Sequence, residues 1–261
     1  MTYKAALVTG AGGRIGREIA IRLAQQKISV AVHYANSADG AEETADLIRA
    51  AGGTAKTIQA DLLDDKQTLS LIENAASSLG CALDVLVNNA SIFEYDNILT
   101  ASVESWNKHM ATNLKGPLFL TQAFAAQASI GHQDEFGEPL AKASVINLID
   151  QRVRKITPEF LTYSVAKSGL WSLTQMTAQA LAPHIRVNGI GPGPTVQGHR
   201  QSAEHFEKQR ASTILQRGSS ASEIADTVEF LLKSHAITGQ LLCLDGGQHL
   251  GWQTPDVLGV E

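Results

Sequence analysis

Residues 9–16 read Thr9-Gly10-Ala11-Gly12-Gly13-Arg14-Ile15-Gly16. They follow the apolar run Ala5–Thr9 and lead straight into Ile15–Gln25, a segment with helical spacing. A strand, a glycine-rich turn and a helix in that order bring backbone N–H groups close to a pyrophosphate at the positive end of the helix dipole. Gly10 and Gly16 serve the tight turn and the close helix–strand packing. Glycines alone are equally a plain turn. Their place between a first strand and an amphipathic helix favours a dinucleotide.

Outward from this turn the chain alternates. Further β-branched runs lie at Ile28–Val32, Ala55–Gln59, Leu83–Val87, Ser144–Ile149, Ile185–Asn188 and Leu241–Leu244. Helical spacing marks Glu42–Ala51, Lys66–Leu79, Val103–Ala128, Phe160–Leu181 and Ala221–Lys233. Strands that are apolar on nearly every residue are buried on both faces, which requires a parallel sheet covered by helices. The expectation is an α/β chain with a doubly wound, Rossmann-type parallel sheet of about seven strands. No linker or compositional break divides residues 1–261, so they read as a single domain. Gly131–Ala141 is polar and reads as a surface loop, its Asp134, Glu135 and Glu138 solvated rather than metal-binding. Gly191–Thr213 begins Gly-Pro-Gly-Pro beyond a strand's carboxyl end, where such sheets bind ligands, and reads as a lid.

Composition excludes several classes. Among 261 residues, 21 Lys+Arg against 26 Asp+Glu leave a net charge of −5 and no clustered basic surface for a nucleic-acid backbone. No apolar run reaches the length that spans a bilayer, and the amino terminus lacks a signal-peptide h-region. Cys81 and Cys243 are too few and too far apart for a disulfide scaffold, which fits a reducing cytoplasm. The eight histidines show no ligand spacing, so no metal is expected; His199 and His205 read as surface residues. Trp252 reads as exposed or at a subunit contact.

The cofactor's ribose should meet the end of the second strand. Sites for NAD place an acid there, but here the chain runs His33-Tyr34-Ala35-Asn36-Ser37, with no carboxylate before Asp39. That permits the 2′-phosphate of NADPH, with Asn36 and Ser37 as donors and His33, Arg14 or Arg17 as positive charge. Asp61, after the third strand, accepts from an adenine amino group or caps the next helix. Asn88-Asn89-Ala90-Ser91-Ile92-Phe93 closes the fourth strand. Tyr163 and Lys167, four apart, share one helix face, so the ammonium lies near the phenol and lowers the cost of phenolate. Asn113 lies upstream, and Asp150 ends the fifth strand.

Together these motifs resemble the short-chain dehydrogenase/reductase family over essentially the whole chain, including Arg186-Val-Asn-Gly-Ile-Gly-Pro192-Gly193 and Asp245-Gly246-Gly247. The resemblance implies that Tyr163 is the catalytic acid, that Lys167 binds the nicotinamide ribose, and that Asn113 holds a relay water. It also places Ile15, Tyr34, Leu62, Asn89, Ala90, Pro192 and Gly193 along the cofactor, and implies a homotetramer. Two positions depart from the usual pattern, which has Gly at Arg14 and Ser at Asp150. With His33-Tyr34 and Asn89–Phe93, they resemble pteridine reductases and related short-chain dihydromonapterin and dihydrofolate reductases. There Phe93 would stack on a flat pterin, Arg14 and Ser91 would contact substrate and phosphates, and Asp150 with Tyr163 would deliver a proton to a ring nitrogen. The expected activity is NADPH-dependent reduction of a pterin-like C=N bond in a small-molecule substrate. Alternatives are a carbonyl reductase of 3-oxoacyl thioesters and a sensor of NADP(H) without turnover.

Overall fold

Val, Ile, Leu and Ala at successive positions leave a strand no polar face, and all four residues of the first run are buried. The computed structural model describes residues 3–198 and 201–252. Its strands are β1 (Ala5–Val8), β2 (Ser29–Tyr34), β3 (Ala55–Gln59), β4 (Val85–Asn88), β5 (His132–Gln133), β6 (Pro139–Leu140), β7 (Ala143–Leu148), β8 (Ile185–Pro192) and β9 (Leu241–Leu244). The α-helices are α1 (Arg14–Gln25), α2 (Ala38–Ala50), α3 (Asp65–Leu79), α4 (Val103–Met110), α5 (Gly116–Gln127), α6 (Leu161–Leu181), α7 (Ala203–Ala211) and α8 (Ala221–Lys233). Seven strands pair in parallel in the order β3-β2-β1-β4-β7-β8-β9. The order reverses between β1 and β4, and the crevice beyond their carboxyl ends is the ligand position of an open α/β sheet.

Each face of the sheet has its own core. On one, Ile19 and Leu23 of α1 and Val228 and Leu231 of α8 pack with Val30 and Val32. On the other, Leu71 and Ile72 of α3 and Leu120 and Phe124 of α5 pack with Leu7, Leu86 and Val145. The apolar stripes of α1 and α3 recur at helical spacing, which is why they were legible as amphipathic segments. Beyond the fold class, Arg186 is buried and structural: its guanidinium donates to the carbonyls of Leu231, Leu232, Ser234 and Ile237 and to the Tyr3 hydroxyl.

Several boundaries differ from expectation for local reasons. The single helix expected over Val103–Ala128 is broken by a π turn at Ala111–Lys115. Pro117 follows it and has no N–H, so the Asn113 carbonyl loses its ordinary helical donor. Asp64, not Asp61, caps α3, accepting from the N–H groups of Lys66 and Gln67 at 2.8 and 3.2 Å. The 131–141 loop contains a short antiparallel pair, β5 with β6, and the Asp134 carboxylate closes its turn by accepting from Phe136 and Glu138. The candidate lid contains α7, and β8 runs on to Pro192 beneath it. His205 is exposed, whereas His199 lies outside the described residues. Trp252 is exposed. Among the described residues no helix is long and apolar enough to cross a membrane.

Candidate active site

The turn after β1 is built from backbone approach. Gly10 has φ +64°, and a Cβ there would lie 3.0 Å from the Ala90 Cα. At Gly16 a Cβ would meet the Gly10 carbonyl at 2.3 Å and the Asn89 amide at 2.6 Å. The Asn89 side chain donates to the carbonyls of Thr9 and Gly10, and the Thr9 hydroxyl accepts from the N–H groups of Asn89 and Ala90. The ends of β1 and β4 are thereby locked together. Helix α1 starts after Gly13 with no side-chain cap and no acid in its first turn. Unclaimed N–H groups beside a cradle that a Cβ would fill suit an anionic dinucleotide.

The chain's other expected cofactor groups surround this cradle unequally. Asn36 and Ser37 are exposed beyond β2, and the Ser37 hydroxyl does not cap α2. Ile15 and Tyr34 are half-buried against the core. Asp61 is half-buried, its carboxylate accepting from the Leu63 N–H, while the Leu62 side chain belongs to the core. Gly193 donates its N–H to Leu244, and a Cβ on it would lie 2.6 Å from Asp245. Asp245 in turn accepts from the Gly247 and His249 backbones, so the Asp-Gly-Gly motif holds the turn after Pro192 in place. Arg14 has φ +54° and donates to the Val196 carbonyl at 3.1 Å, linking the glycine turn to the lid segment.

One expected positive charge is corrected. His33 is 1% exposed and lies beneath the turn, not beside a phosphate. Its Nδ1 accepts from the Gly10 N–H and its Nε2 faces the Ala60 carbonyl, both at 3.0 Å. Burial pushes its pKa down to about 4, so it is a neutral strut. Arg17 stays beside the turn, paired with Glu43 at 2.6 Å, and Arg14 faces the lid.

The expected reacting groups come from the turn after β7 and from α6. The Tyr163 hydroxyl donates to Asp150 Oδ2 at 2.9 Å, and Asp150 Oδ1 accepts the Arg152 N–H at 2.8 Å. Lys167 Nζ donates to the Leu148 carbonyl at 2.7 Å and lies 5.7 Å from the Tyr163 ring centroid. Burial raises the Asp150 carboxyl and lowers Lys167 to about 8. The expected lowering of the Tyr163 phenol is reversed: burial, then the Asp150 charge, pushes it well above its usual value. A phenol next to a carboxylate in a desolvated site holds its proton. Asn113 is fully buried, and its side chain exchanges both hydrogen bonds with the Ile92 backbone. It therefore anchors the loop that carries Ser91 and Phe93, leaving only its carbonyl for a water.

Phe93 is 49% exposed. Its ring stacks on Phe160, with centroids 4.3 Å apart at 8°, and meets Tyr163 edge-on at 4.7 Å. Phe160 occupies the left-handed region at φ +56°, and Tyr95 contacts its ring edge-on at 5.2 Å. Arg152 completes the group, with its guanidinium carbon 4.9 Å from the Phe160 centroid. The sequence carried no signal for Phe160 and Arg152, because stacking between remote segments has no periodicity. Beneath them, a buried chain of hydrogen bonds ties the 93–97 loop to α4 and α6. His109 accepts from the Glu94 N–H and meets the Thr162 hydroxyl, which donates to Asp96. Burial raises the Asp96 carboxyl, but donation from Thr162 and Ser105 outweighs it and holds Asp96 below the usual range.

Residues 10–249 match the family model described as enoyl-(acyl carrier protein) reductase. The chain is a short-chain dehydrogenase/reductase. It is 33% identical to 3-oxoacyl-(acyl-carrier-protein) reductase FabG of Staphylococcus aureus over 252 residues, 95% of this chain and 98% of that one. FolM alternative dihydrofolate reductase 1 of Brucella suis, solved with NADP, is similar at 40% identity and a TM-score of 0.90, covering 97% of this chain and 98% of its own. The angucycline C-6 ketoreductase LanV, also solved with NADP, shares 32% identity at a TM-score of 0.84, with 95% and 96% covered. These short-chain relatives share the fold and include reductases of different substrates.

Proposed function

We propose that this short-chain reductase uses NADPH to reduce a pterin-like C=N bond. The observation that carries the reading is the Tyr163–Asp150 contact of 2.9 Å beside the half-exposed Phe93 ring. NADPH, when bound, supplies the hydride that goes to the ring carbon. Gly10, Gly12, Gly13 and the start of α1 would hold its pyrophosphate, Ser37, Asn36 and Arg14 its 2′-phosphate, and Lys167 its nicotinamide ribose. Tyr163, kept protonated beside the Asp150 carboxylate, would give its hydroxyl proton to the neighbouring ring nitrogen, and a proton drawn from solvent through the relay water would restore the phenol. The Asn113 carbonyl, deprived of a helical donor by Pro117, would hold the relay water. Phe93 would present its face to the flat ring, and the 191–213 segment would close over it.

Asp150 weighs against a simple ketone, because a carboxylate beside the reacting atom repels a forming alkoxide. The ketoreductase relatives support that second reading, and one assay separates the two. NADPH oxidation is followed with dihydropterins, dihydrofolate, 3-oxoacyl thioesters and simple ketones, on wild type and Asp150→Ser. The expected result is reduction of the dihydropterin class, at least tenfold tighter binding of NADPH than NADH, and loss of pterin activity in the variant. Efficient ketone reduction with no activity on any pterin would sink the reading.

A further inference from the structure

We propose that Arg152 is an anion-recognition residue of the substrate site, selecting a flat ring system that carries a carboxylate over a neutral one. The inference rests on the pterin reading above. The Arg152 guanidinium carbon is 4.9 Å from the Phe160 centroid and 5.9 Å from that of Phe93. The cation therefore stands beside the two rings that form the aromatic wall of the site. Its side chain is half-buried, and its Nη1 donates to the Thr157 hydroxyl at 3.2 Å.

The neighbouring carboxylates are engaged elsewhere. Asp150 takes the Arg152 backbone N–H and the Tyr163 hydroxyl and feels the Arg152 charge, but makes no ion pair with its guanidinium. The Glu159 carboxylate faces the Tyr95 hydroxyl. Among the described residues the ion pairs of other arginines, at Arg17, Arg22, Arg49 and Arg217, involve acids remote from this turn, and none reaches Arg152. Contact with an aromatic face occupies the plane of a guanidinium and leaves its N–H edge, which grips a carboxylate through two parallel hydrogen bonds. A half-buried guanidinium with no carboxylate in direct contact gains from a ligand that brings one. A pterin bearing an acidic side chain, as dihydrofolate does, supplies both the ring for Phe93 and the anion for Arg152.

The test compares dihydrofolate with a neutral dihydropterin, using NADPH and wild type, Arg152→Gln and Arg152→Lys. The preference for dihydrofolate, as the ratio of the two kcat/KM values, should fall at least tenfold in Arg152→Gln and recover in part in Arg152→Lys. In wild type, raising salt should increase KM for dihydrofolate and not for the neutral substrate, an arm that stands even where a variant fails to fold. Equal losses on both substrates with no differential salt effect would overturn the role of Arg152 and leave the pterin reading intact. Wild type inactive on both substrates would overturn the two together.

Discussion

The two walls of the crevice are built by different physics. The cofactor wall, at the ends of β1 and β4, is held by backbone contacts and buried hydrogen bonds: Gly16 against the Gly10 carbonyl, Asn89 on Thr9, His33 under Gly10. The wall proposed for the substrate is held by ring contacts among Phe93, Phe160 and Tyr95, half open to solvent, with Phe160 in a backbone conformation costly for a bulky side chain. The first wall has little freedom to change without losing the dinucleotide. The second can change its rings and charges while the sheet beneath it stays the same.

The sharpest way to break this contrast is through His33. Its folded pKa of about 4 lies below the ordinary 6.5, so the unfolded chain binds a proton that the folded chain refuses. Stability contributed by the neutral ring is complete above pH 6.5 and is lost as pH falls toward 4, by about 3 kcal/mol at full effect. Thermal unfolding of wild type should therefore weaken between pH 7 and 4 more steeply than that of His33→Gln. Parallel curves for the two proteins would show that the strut is not a neutral buried imidazole.

Next in size is the acid on the other wall. Tyr163→Phe should lower turnover by two or more orders of magnitude, about 2.7 kcal/mol, with cofactor affinity little altered. Retained turnover would move the proton source to Asp150. The smallest effect should come from the rings themselves. Phe93→Ala removes a pairing worth about 0.5–1.5 kcal/mol beyond buried area, so KM for a dihydropterin should rise severalfold in steady-state kinetics. A loss of Tm comparable to that of a buried core residue would instead make Phe93 part of the scaffold, and the contrast between the walls would fail.

The amino-acid sequence by itself determined the sheet and the glycine turn, and it put forward Tyr163, Lys167, Asp150 and Asn113 as candidates. Strand burial, helical stripes and short-range motifs are properties of neighbouring residues, and they survive in a linear reading. Only the tertiary structure decided which groups carry charge and which rings meet. His33 is polar and stands near the end of β2, where a phosphate contact is expected, yet burial beneath Gly10 makes it neutral. The helical spacing of Tyr163 and Lys167 suggested an easily ionised phenol, yet desolvation and the carboxylate of Asp150, brought by the turn after β7, hold the proton on. Phe160 and Arg152 join Phe93 from a segment that begins nearly sixty residues further along the chain. Charge state depends on burial and on partners from distant segments, and neither exists until the chain has folded.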